Sequence, residues 1–161
     1  MELNLKELGK FIIEAKLNSY ASGKKGTKLS DGSEEFTFEK GRYSYVDRYF
    51  GNNRFTGHEI VSKDNTPVWG MNYYGHLTKK VISLGKDSQV TKFLQESLRN
   101  LKDIEKPFRG PLNYTSRDKK LQYFNNPYRS IDSFHGHESI YGEILDSSPL
   151  FILSYHGGII V

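Results

Sequence analysis

The chain contains no cysteine among its 161 residues, which excludes disulfides and thiolate chemistry. Hydrophobic residues make up a modest 36%, and no stretch approaches the roughly 20 consecutive apolar residues that a membrane span needs. Met1 to Leu5 carry no basic segment followed by an apolar run, so no secretory signal is visible and a cytoplasmic location is expected. Three signatures of chemistry are also missing: a Gly-x-Ser-x-Gly elbow, a Walker phosphate loop and a dinucleotide fingerprint. Nothing points to a Ser-His-Asp triad, although such triads are not sequence-local. No cofactor is implied.

What the chain has in quantity is aromatic surface, with eleven Tyr and ten Phe. A buried Tyr hydroxyl needs a partner, so such a core holds polar networks or faces a wet cavity, unless the Tyr simply serve half-buried strands. The formal charge is +4. Its basic clusters (Lys24, Lys25 and Lys28; Lys79 and Lys80; Arg117, Lys119 and Lys120) fall in predicted loops, interleaved with 19 acidic residues. A nucleic-acid-binding domain concentrates such charge on one face, so nucleic acid is not the expected partner.

The length predicts one domain over residues 1–161. Leu5, Leu8, Ile12 and Ala15 form a helical stripe over 5–17, with Asn4 and Glu7 at capping-box spacing. Gly9 weakens that helix, and the segment 19–33, rich in Gly, Ser and Lys, reads as an exposed loop. Val90, Phe93, Leu94, Leu98 and Leu101 predict a second helix over 88–101, capped by Asp87 or Ser88. Two prolines and a glycine within 106–111 then break it. Strands are expected around 36–38, 43–50, 55–61, 68–74, 121–124, 134–145 and 150–161.

Two stretches of the chain resemble each other. Phe55-Thr-Gly57-His58-Glu59 and, after a turn, Pro67-Val-Trp69-Gly-Met71-Asn-Tyr73-Tyr-Gly75 match a second set. That set is Phe134-His-Gly136-His137-Glu138 and Pro149-Leu-Phe151-Ile-Leu153-Ser-Tyr155-His-Gly157, with seven positions identical. A helix and further strands precede each copy. The expected fold is therefore α+β: internally duplicated helix-plus-antiparallel-strand units, halves about 1–85 and 86–161, with two helices packed on an antiparallel sheet about a pseudo-twofold. Strand glycines such as Gly57, Gly75, Gly136 and Gly157 mark bulges or close backbone approach.

Strand parity places Glu59 and Glu138 on the same face as Trp69, Met71 and Tyr73, or Phe151, Leu153 and Tyr155. A carboxylate among apolar neighbours must be paired, hydrogen-bonded or protonated. In one reading each Glu is structural and fixes its hairpin through a Tyr hydroxyl or backbone amides. In the other, Glu59, Trp69, Tyr73, Glu138, Phe151 and Tyr155 line a pocket, an aromatic wall with an acidic floor suited to a cationic or hydroxyl-bearing ligand. His135 and His137 lie one residue apart, a spacing that could seed a metal site, but their parity is opposite to the apolar face, so no metal is expected.

The set Tyr49-Phe-Gly51, Phe55-x-Gly-x-Glu59, Pro67-x-Trp-x-Met71-x-Tyr73-x-Gly75, Pro107-Phe-Arg-Gly-Pro111, Phe134-x-Gly-x-Glu138 and Leu153-x-Tyr-x-Gly-Gly158, together with 11–20, resembles an uncharacterised prokaryotic family catalogued as domain of unknown function 5680. Some members of that family are fused to an XRE-type helix-turn-helix, and this chain resembles the stand-alone form. By analogy the resemblance implies ligand sensing or partner binding and supplies no catalytic residue. The reading that follows is a non-enzymatic module binding a small molecule or a protein partner. The alternatives are a small hydrolase using Glu59 and Glu138 as an acid–base pair and a nucleic-acid-binding accessory protein.

Overall fold

A computed structural model of the chain describes residues 3–142 and 148–160. The first helix, α1 (Leu5–Asn18), begins where Asn4 accepts a hydrogen bond from the Glu7 amide, the cap that the spacing predicts. It buries Leu8, Phe11, Ile12 and Ala15. A short 3₁₀ turn (Tyr20–Ser22) leads to β1 (Thr27–Lys28), β2 (Glu34–Lys40), β3 (Tyr43–Gly51), β4 (Arg54–Lys63) and β5 (Thr66–Leu77). Next come α2 (Lys79–Ser83), α3 (Asp87–Leu98), β6 (Asn113–Thr115), β7 (Leu121–Ser130), β8 (Ser133–Gly142) and β9 (Phe151–Ile159). The tight β4–β5 hairpin turns on Asp64 and Asn65, both at positive φ, the short polar pair that a two-residue turn favours.

All nine strands form one antiparallel sheet in the order β1-β2-β3-β4-β5-β9-β8-β7-β6. Alternate residues of its long strands join α1, α3 and the segment 99–112 in a single core that includes Tyr45, Trp69, Tyr123, Phe151 and Tyr155. The opposite parity of β4, β5, β8 and β9 carries all five histidines: His58, His76, His135, His137 and His156. His135 and His137 are exposed there. No group of three or more His, Asp or Glu able to hold a metal occurs among the described residues.

The expected duplicated α+β architecture is not what forms. Among the described residues 47% are strand and 22% helix, so the protein is mainly a nine-stranded sheet rather than two helix-plus-strand units. The physical reason lies in what the matched segments do. Phe55 faces Gly75 and Gly57 faces Tyr73 across one hairpin, while Phe134 faces Gly157 and Gly136 faces Tyr155 across the other. Each aromatic ring lies over the opposing glycine, and a Cβ on Gly57 would sit 2.5 Å from the Tyr73 hydroxyl. Such pairs are a local device of strand packing and do not require the flanking helices to repeat.

Other expectations shift for similar reasons. The second helix ends at Leu98, its N-cap is Lys86 with no side-chain cap bond, and the additional α2 precedes it. The segment 19–33 is not wholly exposed, since Ser19, Ala21 and Ser33 are buried. Strand β8 is described only to Gly142, so the expectation for 143–145 lies outside the described residues. The Gly9 position is where the Ile104 carbonyl crosses α1, leaving no room for a Cβ. No helix among the described residues is long and apolar enough to cross a membrane.

Candidate functional site

Five charged side chains converge beneath the sheet. Asp47 on β3, Glu59 on β4 and Glu138 on β8 point into the covered face because their parity matches the apolar residues of their strands. Lys16 reaches them from the last turn of α1, and Arg109 from the segment 99–112. That segment is held in place by Phe108, which stacks on Phe134 with ring centroids 3.8 Å apart, and by Asn125 Nδ2 donating to the Gly110 carbonyl at 2.9 Å. All five are at least nine-tenths buried.

The bonds within the cluster are specific. Lys16 pairs with Glu59. Arg109 Nε donates to Glu138 Oε2 at 2.9 Å, and its Nη1 lies 3.8 Å from Glu59 Oε1, so one guanidinium links the two glutamates. Tyr123 donates to Glu138 and accepts from the Gly110 amide at 3.0 Å. Burial alone would lower the Arg109 pKa, but the Glu138 and Glu59 charges outweigh it and hold it above the ordinary value. Burial lowers that of Lys16 against the opposing pull of Glu59. It also raises those of Tyr45, Tyr73 and Tyr123 well above the usual phenol value, with help from the neighbouring carboxylates.

Asp47 differs from the other two acids. Tyr73 donates to its Oδ1 at 2.6 Å and is, among the described residues, its one hydrogen-bond donor. Burial first, and then the Glu59 charge, push its pKa up to about 7. Across from Glu138 the equivalent strand position is Asn125, and Tyr155 donates to that neutral side chain at 2.7 Å.

Beside Asp47 a cavity of about 150 Å³ opens between the sheet and α3. Tyr49, Phe55, Tyr73 and Phe151 form its sheet side, Val90 and Leu94 its helix side, and Tyr20, Asp47 and Arg109 also line it. A hollow of about 20 Å³ also borders Asp47 and touches Lys16, Glu59 and Arg109. Of the residues proposed from sequence, Tyr73 and Phe151 line the larger cavity and Glu59 the small hollow. Glu138, Trp69 and Tyr155 line neither: Glu138 is held by Arg109 and Tyr123, Trp69 donates to the Ile131 carbonyl at 3.2 Å, and Tyr155 is bonded to Asn125.

Sequence reasoning missed Lys16, Asp47 and Arg109. For Asp47 a signal existed, because it alternates with Tyr43, Tyr45 and Tyr49 on one strand face. For Arg109 a non-periodic loop has no parity, and the one signal was its place in the motif Pro107-Phe-Arg-Gly-Pro111. The basic clusters fall on separate elements: the segment before β2, α2, and the turn between β6 and β7.

No curated protein and no solved structure matches the chain. A family profile described as Domain of unknown function (DUF5680) matches residues 47–160, a span that includes the cavity-lining sheet strands, α3 and Arg109 and leaves out α1. The chain belongs to that family.

Proposed function

We propose that the protein is a non-enzymatic binding module that takes a small one-ring molecule in the cavity between the sheet and α3. The observation that carries this is the cavity itself, walled largely by aromatic side chains and also lined by Asp47 and Arg109. Small-molecule sites are of this kind: apolar concavities with a few fixed polar groups. A dry cavity of about 150 Å³ is large enough for benzene, so a single ring with a polar head matches this volume.

The cluster around Arg109 speaks against hydrolysis by a glutamate pair. Its guanidinium bonds to Glu138 and approaches Glu59, so it stands where a scissile bond would have to lie. Glu138, moreover, borders neither cavity.

The test is an amide NMR titration with benzyl alcohol, benzylamine and benzoate. Shifts should cluster at Val90 and Leu94 on α3 and at Tyr73 on β5, and they should vanish in Leu94→Trp, where an indole fills the space. Failure of all three probes to move these amides would overturn the proposal.

A further inference from the structure

Among the described residues, two cations and three carboxylates make up the buried cluster, so with every group ionised it carries one uncompensated negative charge. Lys63, also buried, is not part of this balance, since its ammonium sits over the Tyr43 ring, 5.3 Å from the centroid. Glu59 and Glu138 each have a cationic partner. The excess therefore falls on Asp47, the acid that borders the cavity.

The molecule holds its own control for what this charge does. If Asp47 were present only to orient Tyr73, a neutral acceptor would serve, as Asn125 serves Tyr155. Asn125 also uses its amide to hold the Gly110 carbonyl, so both of its polar atoms have a partner within the protein. Among the described residues Asp47 has one donor; it is 4% exposed, and a carboxylate can accept several hydrogen bonds. An ionisable side chain with one oxygen free of any protein donor among the described residues, at the wall of an aromatic cavity, is a site prepared for a partner from outside.

On the strength of the binding reading above, we infer that the cavity recognises an organic cation, an ammonium or protonated nitrogen on a small aromatic or aliphatic body, which pairs with Asp47 between the surrounding aromatic rings. Such a ligand supplies the missing positive charge and donates to the free carboxylate oxygen. Tyr20, Tyr49, Phe55, Tyr73 and Phe151 can present ring faces or edges to it, and a desolvated cation gains from ring faces. An anionic ligand would add to an existing excess of negative charge. Arg109, although it borders the cavity, already faces two carboxylates.

Three one-ring probes, of which benzyl alcohol and benzylamine are near-isosteric, test this in the titration already described. Benzylamine should bind about tenfold or more tighter than benzyl alcohol, the usual gain when a hydrogen bond becomes charge-assisted. Asp47→Asn should remove that advantage while benzyl alcohol still binds, which also shows that the variant keeps its cavity. Protons compete with the ligand for Asp47, whose charged and titratable neighbours are Lys16, Tyr20, Tyr45, Tyr49, Glu59, Tyr73 and Arg109. With its carboxyl titrating at about 7, benzylamine affinity should fall roughly tenfold from about pH 8 to about pH 6, and that of benzyl alcohol should not. Equal binding of benzylamine and benzyl alcohol would overturn the cation assignment and leave the binding cavity standing. Preference for benzoate would overturn it in favour of Arg109 as the anchor. Silence from all three probes would overturn the binding reading as well.

Discussion

Replacing Asp47 by Asn removes the ionisable group from the cluster with almost no change in volume, and Asn can still accept from the Tyr73 hydroxyl, as Asn125 does from Tyr155. In the folded protein the Asp47 carboxyl titrates at about 7, against an ordinary 3.8. Below about pH 4 the group is protonated in both folded and unfolded chains, and its preference for the neutral form contributes fully. Between about pH 4 and pH 7 the unfolded chain releases the proton that the folded chain keeps, so stability falls as pH rises and then levels off. At about 1.4 kcal/mol for each pH unit, that interval amounts to roughly 4 kcal/mol. Asp47→Asn has no such loss. Urea unfolding followed by far-ultraviolet circular dichroism should find the variant gaining on the wild type as pH rises, its lead growing by roughly 3 kcal/mol between about pH 4.5 and about pH 8. A variant less stable than wild type at the higher pH, or a difference that does not change with pH, would refute the assignment of the excess charge to Asp47.

Two further outcomes follow from the same cluster. Tyr123→Phe deprives Glu138 of a donor and the Gly110 amide of an acceptor, both buried, and should cost roughly 2–4 kcal/mol in denaturant unfolding, whereas Tyr128→Phe at an exposed hydroxyl should cost almost nothing. Arg109→Met leaves Glu59 short of a neighbour and Glu138 without its cation, and should cost about 3–5 kcal/mol. Adding Glu138→Gln to Arg109→Met should recover part of that loss, and strict additivity of the two changes would show that the pair is not coupled.

Much of the local structure could be read before any coordinates. The Asn4 cap and the stripe of Leu8, Ile12 and Ala15 marked α1 because capping and helical periodicity are properties of adjacent residues. Period-two parity put Glu59 and Glu138 on the covered face, because neighbouring side chains of a strand must alternate. The repeated aromatic and glycine residues were visible too, but they mark cross-strand contacts, and reading them as duplicated helix-plus-strand units overextended a pattern confined to two hairpins.

What the sequence determined, then, is every feature that depends on residues a few positions apart: the capped helix, the alternating strands and the inward-facing carboxylates. Only the tertiary structure decided which charges meet. Lys16, Asp47 and Arg109 are far apart along the chain and come together because β3 pairs with β4, α1 lies across the sheet, and the segment 99–112 crosses beneath β8. The cavity likewise exists because α3 stands off from the sheet beside Asp47. Charge balance and empty volume are sums over all the neighbours of a point in space, and no local pattern of residues encodes such a sum.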